Sequence, residues 1–163
     1  MTDLRRAGED DLPALVRIYN HYVAHSHCTF DIETYSVDER RGWWRRFDAA
    51  RYQCWIAEHA GRVIGYACSQ PLKAKGGYET SVEVSVYVDA AHTGSGTGRS
   101  LYQQLLAALA PEDVHRAYAL VALPNDPSIA LHQTMGFREV AHLGEVGRKF
   151  GRYWDVVWLE RAL

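Results

Sequence analysis

Apolar residues along the chain switch between two periods, and the switches mark out the elements. Asp10 or Asp11 stands where a helix N-cap belongs, with Pro13 in the first turn. Leu15, Val16, Tyr19, Tyr22 and Val23 then recur at helical spacing. This predicts an amphipathic helix to about residue 24, behind a short strand over 2–6. Ser36, followed three residues later by Glu39, is a capping box that opens a second helix through Trp43, Trp44 and Phe47. The period then falls to two. Residues 53–59 and 62–69 read as strands on either side of Ala60-Gly61, a hairpin turn. A third strand, over about 78–88, ends in VEVSVYV. A helix from about residue 98 carries Leu101, Leu105, Leu106 and Leu109 on one stripe, and 116–123 is a nearly continuous apolar strand suited to burial inside a sheet. Asp126 is the predicted N-cap of a further helix, with Pro127 at its first position and Gly136 at its end. Strands over about 137–146 and 152–160 complete a single α/β domain, 1–163, of mixed sheet order.

The central strand and the glycine-rich turn after it hold the candidate chemistry. Strand alternation puts Val82, Val84, Val86 and Val88 on one face, predicted to be core, and Glu83, Ser85 and Tyr87 on the other. That second face is either solvated or the wall of a cleft. The strand runs into His92-Thr93-Gly94-Ser95-Gly96-Thr97-Gly98-Arg99, where glycines let backbone N–H groups converge and a helix start adds a positive dipole end. Together these features suit a pyrophosphate. Two familiar cradles fail: a dinucleotide fingerprint would need glycine at Arg99, and a phosphate-binding P-loop would need a lysine that this turn lacks. A plain flexible turn remains the alternative.

Composition narrows the classes. Of 163 residues, 47% are hydrophobic and 23% charged, and the formal net charge is −2, so no strong field points to nucleic acid or an anionic membrane. No apolar run approaches the ~20 residues of a membrane span. No apolar segment lies behind the N-terminal charges, so a signal peptide is not expected. Cys28, Cys54 and Cys68 lack CxxC spacing and read as reduced thiols in a cytoplasmic protein. His21, His25, His27 and Cys28 lie close in sequence but have no second ligand group at matching spacing, so no metal is expected. Residues 147–152, GRKFGR, are basic but short, and read as a hairpin turn near the site or a subunit contact.

The turn Thr93-Gly94-Ser95-Gly96-Thr97-Gly98 resembles the acyl-CoA motif of the GNAT superfamily of N-acetyltransferases, Q/R-x-x-G-x-G/A. Asn20-His21-Tyr22, Thr29-Phe30, Pro71-Leu72-Lys73-Ala74-Lys75, Val86-Tyr87-Val88, Leu101-Tyr102, LPNDPS over 123–128 and Leu131-His132 extend it to the phosphinothricin N-acetyltransferase and L-amino acid N-acyltransferase group. The match covers nearly the whole chain. Departures are Thr93, where glutamine or arginine is usual, Ser95, where a basic residue is common, and Asp31, where arginine is common.

The resemblance implies a central, mostly antiparallel sheet with splayed middle strands flanked by helices. It implies direct acetyl transfer from acetyl-CoA to the amine of a small amino-acid-like acceptor, such as phosphinothricin or methionine sulfoximine or sulfone. By the same resemblance, Glu83 falls on the general base and His132 on an assisting histidine. Val86, Tyr87 and Val88 fall on the pantetheine strand, and Gly94, Ser95, Gly96, Thr97, Gly98 and Arg99 on the pyrophosphate turn. Asn125 and Ser128 join the cofactor site, and Phe30, Lys73, Lys75, Tyr78, Ser85 and Tyr87 the acceptor site. A homodimer is implied as well. The chemistry agrees, since an ammonium acceptor must lose a proton and a carboxylate in a partly desolvated cleft can take it. Two other functions stay open: a non-catalytic CoA-binding sensor, and acetylation of protein N-termini or lysines.

Overall fold

The computed structural model describes residues 2–48 and 50–163. Its elements run β1 (Thr2–Arg6), α1 (Leu12–His25), α2 (Val37–Trp44), β2 (Cys54–His59), β3 (Arg62–Pro71), β4 (Ser81–Val88), α3 (Thr97–Leu109), β5 (Arg116–Ala122), α4 (Asp126–Thr134), β6 (Arg138–Lys149) and β7 (Arg152–Ala162). One seven-stranded sheet holds them in the order β1-β2-β3-β4-β5-β7-β6. Every neighbouring pair is antiparallel except β4 with β5.

Two apolar layers sandwich this sheet. On one face Leu101, Leu105 and Leu109 of α3 pack with Val82, Val84, Ala117 and Ala119. On the other, Leu15 and Ile18 of α1 pack with Ile56, Tyr66 and Cys68. The helices form where the sequence spacing puts their stripes, except that α2 ends at Trp44, short of Phe47, and two caps differ from expectation. Asn125, not Asp126, caps α4, its side chain accepting from the Ser128 N–H at 3.3 Å, so Asp126 is the first helical residue and Pro127 the second. Asp11 holds the N-cap position of α1, as read, but makes no side-chain cap bond there, because its carboxylate is taken by Arg5 at 2.7 Å and the Gly8 N–H at 2.8 Å. The Ser36–Glu39 capping box forms as read, worth about 1 kcal/mol to a helix of eight residues. The central strand begins three residues later than expected, after a short 3₁₀ turn at Gly76–Tyr78.

The sheet's one parallel pair fixes the site. β4 and β5 are paired only at Ser81↔Arg116, Val82↔Ala117 and Glu83↔Tyr118. Beyond Glu83 they diverge, while β4 stays bonded to β3 as far as Val88 and β5 to β7 as far as Ala122. The result is a fork whose prongs, 84–88 and 119–122, each present to the gap a backbone edge with no strand partner; on the first, Val84 O and Val88 O accept from the Tyr102 and Tyr22 hydroxyls.

Candidate active site

A cavity of about 950 Å³ fills that fork, lined on one side by Glu83 through Val88 and on the other by Ala119 through Ala122. The valine face is therefore core only in part. Val82 and Val84 are buried beneath α3, whereas Val86 and Val88 are half-buried and border the cavity. The opposite face is a cleft wall, not a wet surface: Glu83, Ser85 and Tyr87 all line the cavity. Tyr87 is held by edge and tilted contacts with Tyr19, Tyr22 and Tyr66, at 5.1, 5.5 and 5.6 Å between ring centres. A flat aromatic wall replaces the solvent that alternation alone allowed.

Glu83 is the last residue of β4 paired with β5, so it sits at the vertex of the fork. Burial pushes its carboxyl above the ordinary glutamate range, and the positive charge of Lys73 partly opposes this. Glu83 is thus a more basic carboxylate than a solvated one, with access to the cavity.

At the cavity's other end the chain leaves β4 through Asp89. This buried carboxylate accepts from Arg17 of α1 at 2.6 Å and from the Ala91 N–H at 3.1 Å, pinning the start of the glycine turn. Gly94 and Gly96 adopt φ of 75° and 84°, a left-handed backbone that other residues reach only with strain. The first rung of α3 runs from the Ser100 N–H to the Gly96 carbonyl, so the N–H groups of Thr97, Gly98 and Arg99 precede the helix ladder at its positive end. Gly94, Gly96, Thr97, Gly98 and Arg99 line the cavity. Thr93 and Ser95, which depart from the family pattern, are used within the turn. Thr93 Oγ1 donates to Ala90 O at 3.2 Å, and Ser95 Oγ donates to His92 O at 2.6 Å. Ser95 is absent from the cavity lining.

Asn125, Ser128 and His132 approach the fork from α4 and its cap. His132 is buried, and its Nδ1 lies 2.7 Å from the Ser128 carbonyl, which can only accept. The proton therefore sits on Nδ1, and Nε2 accepts from the Tyr102 hydroxyl at 2.9 Å. Burial holds the imidazole below its usual pKa, against the raising effect of the Ser128 carbonyl, which keeps it neutral. The same hydroxyl has a second acceptor in Val84 O at 3.4 Å, on the β4 prong.

The expected acceptor residues divide. Phe30, Ser85 and Tyr87 line the cavity. Phe30 lies so close against β6 that a Cβ on Gly147 would come within 2.0 Å of its ring, and Lys149 steadies its loop by donating to Ser26 O and Thr29 O at 2.7 and 2.8 Å. Lys73, Lys75 and Tyr78 lie on the loop before β4 and do not line the cavity. Lys73 extends toward Trp158, at 5.7 Å from its ring centre, and reaches Glu83 through its field, while Lys75 and Tyr78 are exposed. Tyr102, Arg40, Trp43 and Gln70 line the cavity, although nothing in the sequence singles them out as site residues. Their helical and strand positions suit packing equally well, and only the chain's ten tyrosines and five tryptophans hint at an aromatic cleft. Among the described residues no group of three metal-ligating side chains occurs, and no helix is long and apolar enough to cross a membrane.

Comparison with known proteins identifies this architecture. The model of the acetyltransferase (GNAT) family matches residues 15–137. A phosphinothricin N-acetyltransferase of Streptomyces coelicolor is 48% identical over 163 residues, covering 98% of this chain and 95% of that one. An L-methionine sulfoximine/L-methionine sulfone acetyltransferase of Salmonella typhimurium is 34% identical over 98% of this chain and 94% of its own. Among solved structures, a Salmonella typhimurium acetyltransferase with acetyl-CoA superposes with a TM-score of 0.95 at 33% identity, covering 99% of this chain and 94% of that one. A phosphinothricin acetyltransferase from Sinorhizobium meliloti in complex with the same cofactor gives 0.94 at 27% identity, over 99% and 88%. With its splayed sheet, glycine turn and these relatives, the chain belongs to the acetyltransferase (GNAT) family.

Proposed function

We propose that this enzyme transfers acetyl from acetyl-CoA to the amine of a small amino-acid-like acceptor, with Glu83 as general base. The observation that carries the reading is the fork: one cavity joins a backbone edge and glycine turn suited to a thioester cofactor to a carboxylate made basic by burial. The fit to acetyl-CoA rests on residues of this chain. The edge at 84–88, which has no strand partner, offers its remaining N–H and C=O groups to the amides of a pantetheine arm, as a further strand would. The N–H groups at 97–99 and the Arg99 guanidinium suit a pyrophosphate.

Glu83 takes the proton from the acceptor ammonium, freeing a lone pair to attack the thioester carbonyl carbon. Negative charge then grows on the carbonyl oxygen, which a backbone N–H of the β4 edge would stabilise by donating to it. His132 holds the Tyr102 hydroxyl, which would turn from Nε2 to protonate the thiolate as the C–S bond breaks and would regain a proton from the new amide nitrogen. Cys28, Cys54 and Cys68 need no part, and their free thiols agree with a cytoplasmic setting. The same reading includes a homodimer built on β6, an edge strand of twelve residues with Val140 and Val146 exposed.

Acceptor-dependent thiol release tests it. With acetyl-CoA, the enzyme is expected to release CoA thiol when given phosphinothricin or L-methionine sulfone, and not without an acceptor. Tight CoA binding with no turnover against any amine would instead make the chain a sensor. Turnover confined to peptide N-termini or lysines would move the acceptor class.

A further inference from the structure

Three charged side chains of the cavity, Asp31, Arg40 and Arg46, have no role in the chemistry above, and Arg40 is the one set among aromatic rings. Arg40, on α2, holds its guanidinium carbon 4.3 Å from the ring centre of Trp43, 4.6 Å from Tyr19 and 4.9 Å from Tyr35. Those rings favour the cation by their negative faces. Among the described residues, Arg40 has no ion pair and no side-chain hydrogen bond. Elsewhere Arg5, Arg17, Arg41 and Arg138 each meet a carboxylate within 2.9 Å. Asp31, the nearby acid, accepts from the Tyr19 hydroxyl at 2.5 Å and lies outside ion-pair distance of Arg40. Aromatic rings take up the faces of a guanidinium, whereas carboxylates bind its N–H edge, and here no protein acceptor takes that edge.

Arg40 is also tied to the reacting end of the site. Trp43, stacked against it, donates its indole N–H to Gln70 Oε1 at 3.0 Å, and Gln70 is the residue directly opposite Glu83 in the β3–β4 ladder. Arg40, Trp43, Gln70 and Glu83 all line the one cavity. The positive charge is felt at its wall, where it works against the burial that raises the Cys68 thiol. A cation with open donors and a basic carboxylate thus share a space sized for a small molecule, with one indole and one amide between them.

We propose that Arg40 binds the carboxylate of the acceptor, and so selects free amino acids over their amides and over uncharged amines. This rests on acetyl transfer at Glu83 as read above. The competing role is a purely structural clasp, in which Arg40 only ties α2 to Tyr19 of α1.

L-Methionine sulfone and its carboxamide separate the two, because the carboxylate is the only anionic group of the former. Wild-type enzyme, Arg40→Gln and Arg40→Lys are compared by thiol release and, with CoA present, by calorimetric binding of each acceptor. Wild type is expected to favour the acid by about 10–100-fold, the usual range for one charge-assisted contact. Arg40→Gln should lose that factor for the acid, through KM and Kd, and leave the carboxamide within about twofold. Arg40→Lys should recover part of it. Equal losses for both acceptors in Arg40→Gln, or a wild type with no preference, would overturn the assignment. Because binding is read apart from turnover, an acid preference in binding without acetylation counts for Arg40 and against the transfer reaction.

Discussion

A carboxylate is a useful base near neutrality only when its surroundings make the proton welcome, and Glu83 meets that condition by position. It is the last residue of β4 to be paired with β5 before the fork opens, half out of water and short of full neutralisation by Lys73. Alternation in VEVSVYV already puts Glu83 on the face away from the valines. What it cannot supply is burial, which depends on α1, α2 and Tyr87 closing that face. His132 shows a similar limit. A buried helical histidine is ordinarily a satisfied core residue, and its bond to Ser128 O is of that kind; its partner Tyr102 is what links it to the site. In the sequence Tyr102 stands out only beside Leu101 in the family pattern, with no role attached to it. Removing only its hydroxyl, in Tyr102→Phe, keeps the ring packed against Phe137 and leaves the fold intact. We expect kcat for acetyl transfer to fall about 10–100-fold with KM within twofold. An unchanged kcat would reduce the His132–Tyr102 pair to packing.

At the level of elements, the site depends on where pairing stops. Each strand is legible as a run of β-formers, but the divergence of β4 from β5 after three paired residues leaves no mark in either run. The glycine turn is legible because left-handed backbone restricts residue choice, as at Gly94 and Gly96. The helix caps are less so. Asn125 and Asp126 are equally good cap residues, and the sequence could not choose between a cap that puts Pro127 first in the helix and one that puts it second. Asp89 joins strand, turn and α1. Arg17 holds its carboxyl below the ordinary aspartate range, despite the opposing effect of burial. Its folded pKa lies under its unfolded one, so its contribution is present above about pH 4 and is lost as pH falls through the folded value. Asp89→Asn should therefore lower stability by about 1 kcal/mol at pH 7 and by less at pH 3, already below the unfolded pKa, read from unfolding midpoints across pH. CoA affinity should weaken in parallel as the turn loosens. An equal stability loss at both pH values would show that charge at Asp89 is not what secures the turn.

Across the whole molecule, an α/β domain with a mixed sheet is legible from the order of periods, and residues 15–137 match the family model that the resemblance pointed to. The cavity's composition is not, because it draws together residues from α1 to β7 and from the loops before α2 and after β4. Arg40 and Gln70 are remote in sequence from the glycine turn and reach the cavity only when α2 folds over β3. The lysine-bearing loop before β4, a natural place to expect anion recognition, instead acts on Glu83 from outside the cavity. The proposed proton removal by Glu83 at the vertex of the fork is the claim on which the rest depends. The direct measurement is the pH profile of kcat/KM for wild type and Glu83→Gln with one amino-acid acceptor. With Glu83 as base, wild-type activity rises as the carboxylate forms, with an acidic limb centred above the ordinary glutamate pKa because burial raises it. Glu83→Gln should remove that limb and lower the rate about 10²–10⁴-fold, leaving only the rise due to the acceptor amine itself. A variant that keeps both the limb and the wild-type rate would place the base elsewhere.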